Sequence, residues 1–227
     1  MPEVKKWAMD VRMSFEKTGM AKFISHLDTV RCITRAMKRA CVPIWFTEGF
    51  NPHTFLTFAM PLSLGFESLC ETVDFRLMEE VDLEELAVKI NDALPVDMTV
   101  KEIYVYETLP NIIRWAEYKI IFNNPDKLLL DSAEKILSAD EILVLKKGKQ
   151  GRRKVEKEVN IKEHIKSFEL IEENGKLILN TILSSGTSIN INPVLLIGAL
   201  VKDTNTDEQD VDIIKVQSFT ENMEIFK

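Results

Sequence analysis

The hydrophobic period of the first hundred residues switches between two and about 3.6 in a set order, and that order leaves few folds open. Residues 9–16 alternate, Met9, Val11, Met13 and Phe15 against Asp10, Arg12, Ser14 and Glu16, as a half-buried strand does. After a turn at Lys17-Thr-Gly19, Ser25-His-Leu-Asp28 fits a capping box. There the Ser25 hydroxyl accepts from the third helical N–H and Asp28 reaches back. A helix is therefore expected from His26 to about Cys41, with Leu27, Val30, Ile33, Thr34, Met37 and Cys41 turned inward. Pro43 stops it. A strand is expected to begin over 44–47, break at Glu48-Gly-Phe-Asn-Pro-His53 and resume over 54–60. A third strand over 69–77 sets Glu71, Val73, Phe75 and Leu77 on one face. Asp82 caps a second helix carrying Leu83, Leu86, Ala87, Ile90 and Leu94; Pro95 ends it, and 98–106 reads as a strand. The order β-α-β-β-α-β is that of the ferredoxin-like split βαβ, an α+β fold whose antiparallel sheet carries its helices on one face.

The remaining length allows a second module, so the expected domains are 1–110 and 111–227, with the boundary in 107–115. A strand over 116–122 precedes a helix over 125–137 with Leu128, Leu129, Ala133, Ile136 and Leu137 inward, then a strand over 141–146. A lysine- and arginine-rich hairpin occupies 146–157, and two strands, 166–172 and 176–183, are joined by Glu173-Asn-Gly175. Asn192-Pro193 caps a helix over 194–202, and 211–219 is the last strand. These elements describe a second split βαβ with an inserted hairpin.

A net charge of −7 opposes non-specific contact with nucleic acid, so any polyanion must meet a local basic patch. Two are present. Arg31, Arg35, Lys38 and Arg39 share one side of the first helix, where a solvated face and a site for phosphate or an acidic protein surface are both open readings. Lys147, Arg152 and Arg153 lie in the basic hairpin, a solvated tip or a grip on an RNA backbone. Neither half carries the aromatic pattern of an RNA-recognition sheet, so base readout is unsupported. In the Gly49-Phe-Asn-Pro-His53 turn, Gly49 and Asn51 suit positive φ, and Phe50 is a candidate docking group.

Ser25, His26, Asp28, Asn51 and His53 form the candidate functional cluster. They are either a helix cap and a turn, or an acid/base group with Glu71 nearby. Their spacing matches no ligand pattern, so no metal site and no catalytic residue is assigned. Three widely spaced cysteines, Cys32, Cys41 and Cys70, suit reduced thiols, and no apolar run is long enough to cross a bilayer. A cytoplasmic protein without a membrane partner is expected.

The run from Phe15 to Gly65 resembles the radical-SAM-linked protein family, DUF2344. The matching words are F-x-K-x-G (Phe15, Lys17, Gly19), S-H-L-D-x-x-R (Ser25 to Asp28, Arg31), R-A-x-x-R-A (Arg35, Ala36, Arg39, Ala40), P-I (Pro43, Ile44), G-F-N-P-H (Gly49 to His53) and P-L-x-L-G (Pro61, Leu62, Leu64, Gly65). Thr47-Glu48 departs from the Ser-Gln pair frequent before G-F-N-P-H. The resemblance implies a separate radical SAM protein as partner, carrying SAM and an iron–sulfur cluster. This chain lacks CxxxCxxC, so no cofactor of its own is expected. The residues and the resemblance together point to an accessory or adaptor protein that helps bind or present RNA or another anionic substrate. The alternative is an enzyme acting on a phosphorylated or nucleotide substrate through His26, Asp28 and His53.

Overall fold

Strand β1 (Met9–Lys17) sends Val11, Met13 and Phe15 to one face, the face on which the core of the first unit is built. The computed structural model describes residues 6–150 and 153–227, the side chains of 147–150 and 153–156 excepted. The chain divides into two units, one running to Ile112 and taking in Lys227, the other Ile113–Phe226.

The first unit continues with α1 (His26–Arg39), β2 (Leu56–Phe58), β3 (Glu67–Leu77), α2 (Leu83–Ala93) and β4 (Met98–Val105). β1 pairs antiparallel with both β3 and β4, and β2 pairs antiparallel with β3, giving the order β4-β1-β3-β2 of a split βαβ. Alternation on β3 adds Val73, Phe75 and Leu77 to the buried face, and β4, whose register with β1 shifts between Val100 and Glu102, adds Met98, Val100 and Ile103; Ile33 and Met37 of α1 and Leu86 and Ile90 of α2 close it. Each such side chain contributes about 1.5–3 kcal/mol by leaving water.

Two expectations for this unit are corrected. The inward face of α1 is Thr29, Ile33, Ala36 and Met37, while Leu27 and Cys41 are exposed. The sheet lies under the middle of the helix, so its first turn and the residue beyond its end overhang the core. Residues 44–47 form no strand; Ile44 and Phe46 make isolated bridges to Leu77 and Thr54. That segment is held by two backbone hydrogen bonds, Trp45 N to Arg76 O and Met78 N to Pro43 O, both at 2.8 Å, and by stacking, with the Arg76 guanidinium 3.6 Å from the Trp7 ring centre, 4.2 Å from Phe55 and 5.1 Å from Trp45. Asp10, directly across the ladder from Arg76, accepts its Nε at 3.2 Å.

The second unit runs β5 (Ile113–Phe122), α3 (Leu129–Ser138), β6 (Leu143–Gln150), β7 (Arg153–Asn160), β8 (Ile165–Glu173), β9 (Lys176–Ser184), α4 (Pro193–Val201) and β10 (Val211–Thr220). Antiparallel pairing gives β10-β5-β9-β8, the same split βαβ, with β6 and β7 inserted between α3 and β8 as a separate two-stranded sheet. Asn174 (φ 52°) and Gly175 (φ 76°) make the tight turn from β8 to β9. The helix expected from 125 starts only at Leu129, and Leu128 is exposed. Asp126 holds the preceding segment in a loop by accepting from Asn205 N and Nδ2, both at 3.2 Å. The side chains of Lys147, Arg152 and Arg153 lie outside the described residues.

Candidate functional site

Gly19 begins the site. It takes φ +51° at the start of a 3₁₀ turn, Gly19–Phe23, whose Met20 N–H donates to Asp97 Oδ2 at 2.9 Å. A Cβ on Gly19 meets the Asp97 carboxyl at 2.9 Å. Gly19→Ala is therefore expected to cost about 1–2 kcal/mol from the left-handed backbone, read as a lowered urea midpoint with unchanged slope. Just before the turn, buried Lys17 donates from Nζ to Ile24 O at 3.2 Å, fixing the residue that precedes the helix cap. Burial lowers the Lys17 pKa, and Glu71 opposes that shift. Glu71 is itself buried and accepts from the Ser68 hydroxyl at 2.8 Å.

The Ser25 hydroxyl accepts from Asp28 N at 3.2 Å and donates to Asp28 Oδ2 at 2.7 Å; Asp28 Oδ1 accepts from Arg31 Nη1 at 2.9 Å. The Ser25 hydrogen bond, then that from Arg31, holds the Asp28 carboxyl below its ordinary pKa. His26 is exposed and sits edge-on to Phe58, ring centres 5.0 Å apart. The SHLD run is thus a helix cap with an aromatic contact.

Beyond the cap, Arg31, Arg35 and Arg39 recur at four-residue intervals and line a groove of ≈560 Å³ with Asp28, Cys32, Ala93, Leu94 and Pro95. The far wall is the end of α2, where the Arg39 guanidinium donates to the Ala93 carbonyl. Among the described residues no hydrogen bond or ion pair engages Arg35. Three guanidiniums against the single Asp28 carboxylate leave the groove two positive charges in excess. Burial raises the Cys32 thiol pKa, and Arg39 and Arg35 oppose that shift, so the neutral thiol is favoured in the groove wall. Lys38 is exposed on α1 but outside the groove.

The GFNPH turn is a separate feature. Thr47 N donates to His53 O at 2.8 Å, and Thr47 Oγ1 accepts from His53 N at 3.1 Å. His53 Nδ1 lies 3.0 Å from Thr47 Oγ1 and 3.2 Å from Asn51 O. Gly49 takes φ 121°; Asn51 does not take the positive φ expected of it, and Phe50 is fully exposed. Glu48 pairs with Lys6 at 2.7 Å. His53 and Asn51 are thus bonded within their own turn, His26 and Asp28 belong to the first turn of α1, and Glu71 is buried with Ser68. Among the described residues no group of three His, Cys, Asp or Glu could hold a metal ion. Cys32, Cys41 and Cys70 make no ligand set for an iron–sulfur cluster. The residues that sequence reasoning missed are Cys32, Ala93, Leu94 and Pro95. Pro95 marked the helix end, but nothing local tied that end to α1.

Among the described residues no helix is long and apolar enough to cross a membrane. No curated protein matches the sequence. Among solved structures, a chain of a Cbf5-Nop10-Gar1 complex is similar at a TM-score of 0.47 and 9% identity, over 97% of this chain and 56% of that one. The chain thus spans little more than half the length of that relative. An unknown protein from Galdieria sulphuraria is similar at a TM-score of 0.26 and 10% identity, over 92% of this chain and 98% of that one. The family model described as an uncharacterized protein conserved in bacteria (DUF2344) matches residues 11–193, so the chain belongs to that family.

Proposed function

We propose that this protein is an accessory binding module, not catalytic alone, whose α1 groove docks an anionic partner. The observation that carries this is the Arg35 guanidinium, set between Arg31 and Arg39 and engaged by no hydrogen bond or ion pair among the described residues. A cation cluster without a matching carboxylate set raises local anion concentration even on an acidic protein. The resemblance of the S-H-L-D-x-x-R and G-F-N-P-H words to the radical-SAM-linked family supports a separate radical SAM enzyme as the protein with which this module works, SAM and the iron–sulfur cluster being that enzyme's. RNA or another anionic substrate is the class the module helps to present, in the cytoplasm.

The test is co-purification of the full chain with a candidate radical SAM protein from the same organism, with RNA measured in the eluate. At low ionic strength the enzyme, RNA or both are expected to co-elute and to be released by salt, as an exposed cationic groove requires. Absence of both from the eluate contradicts the reading.

A further inference from the structure

We infer that the occupant of the α1 face is an acidic, amphipathic segment of a protein, anchored by apolar side chains at the Leu27 end, and not a nucleic acid. The inference rests on the reading of this face as a docking groove and names what fills it.

Leu27, Arg31, Arg35 and Arg39 stand at strict four-residue intervals, one ridge of α1 about 18 Å long. Its first member is a leucine with 57% of its surface exposed. Next to it in sequence, the 3₁₀ turn places Met20 and Phe23 three residues apart, the spacing at which side chains eclipse; they are 71% and 59% exposed, while Ala21 between them is buried. Gly65 N donates to Lys22 O at 2.8 Å, which sets the 61–65 turn and its 64%-exposed Leu64 beside Phe23. Four large exposed apolar side chains therefore sit on the segments that lead into the arginine ridge.

These segments are held rather than loose. Asp97 takes the Met20 N–H, Lys17 takes the Ile24 carbonyl, and Lys22 pairs with Glu67 at 3.3 Å while lying 5.5 Å from the Phe23 ring centre. Pre-set apolar groups lose little freedom on binding. Phosphates give Met20, Leu27 and Leu64 nothing to bury against, and flat base faces suit stacking on Phe23 alone; apolar side chains of a protein segment cover all four. Carboxylates then match the three guanidiniums along the ridge. Leucine at one end and arginines over the rest also fix the direction in which the segment lies.

The probes are a synthetic helical peptide of about 18 residues, long enough to span the ridge, with glutamates at every fourth position and a Leu-Phe anchor at one end, its counterpart with both anchor residues replaced by serine, and an oligouridine RNA. Fluorescence anisotropy with the full chain is expected to show the anchored peptide binding about tenfold tighter than its serine counterpart, a difference of about 1.4 kcal/mol. Met20→Ser with Leu27→Ser should erase that advantage, and Arg35→Glu should weaken both peptides. These side chains are exposed, so the variants should melt as the parent does; Leu64→Ser alone is the substitute where the double variant melts early. Unchanged affinity of the apolar variants for the anchored peptide, with Arg35→Glu still weakening it, overturns the inference and leaves the groove intact. Tighter binding of the RNA than of the anchored peptide, indifferent to Met20 and Leu27, overturns it in favour of nucleic acid. Indifference of every probe to Arg35→Glu removes the groove reading itself, and the inference with it.

Discussion

Arg12→Ala is expected to lower the free energy of unfolding by about 3–5 kcal/mol, the cost of leaving a buried charge without its partner. Arg12 is fully buried in the middle of β1 and faces Asp74 across the ladder to β3. Its Nε and Nη2 donate to the two Asp74 oxygens at 2.6 and 2.8 Å, a bidentate pair; Nη2 also donates to Thr108 O at 2.8 Å, and the guanidinium lies 4.5 Å from the Tyr106 ring centre. Asp74 is itself buried, so truncating Arg12 strands a carboxylate away from water. Replacing both partners by apolar residues, Arg12→Met with Asp74→Leu, is a different experiment. Because the pair's attraction mainly offsets its desolvation, the double variant should recover most of the loss. Urea unfolding of the parent and the two variants at one pH measures both effects. A single variant as stable as the parent removes the pair from the account of the fold.

The order of elements was legible because each signal was local. Alternation along residues 9–16 and 69–77, the Ser25 and Asp82 caps, and Asn174-Gly175 each declare an element without help from elsewhere, and the two units have the strand orders that such a series implies. What failed depended on distant partners. Leu27 and Leu128 looked inward by spacing, yet both are exposed, Leu27 because the first turn of α1 overhangs its sheet and Leu128 because α3 begins only at Leu129. Residues 44–47 looked like a strand, but they make only isolated bridges to Leu77 and Thr54, with the guanidinium of Arg76, some thirty positions on, stacked on Trp45. The candidate site divided in the same way. Ser25 and Asp28 were readable as a cap and are one. The basic side of α1 was visible as a pattern, but Asp28 engages Arg31, and the groove exists only because the end of α2, more than fifty residues on, forms its second wall.

The second large effect concerns that groove. Arg31→Glu with Arg35→Glu replaces two of its three cations by anions, turning an excess of two positive charges into an excess of two negative ones. Neither side chain is buried, and the lost Asp28–Arg31 pair, 53–58% exposed, belongs to the class that contributes little to stability. The fold should therefore persist, its unfolding free energy within about 0.5 kcal/mol of the parent's. Binding should not persist. An anionic partner steered and held by these guanidiniums then meets repulsion where it met attraction, and its dependence on salt should flatten as the favourable contacts disappear.

The most direct measurement is the affinity of the parent and of the Arg31→Glu, Arg35→Glu variant for the proposed radical SAM partner and for RNA, at two salt concentrations, with circular dichroism to show that the variant is folded. An anion-docking groove on α1 predicts at least about a tenfold loss, more than about 1.4 kcal/mol, for whichever partner binds, and a weaker response to salt. A folded variant that binds both as tightly as the parent, with the same salt dependence, contradicts it.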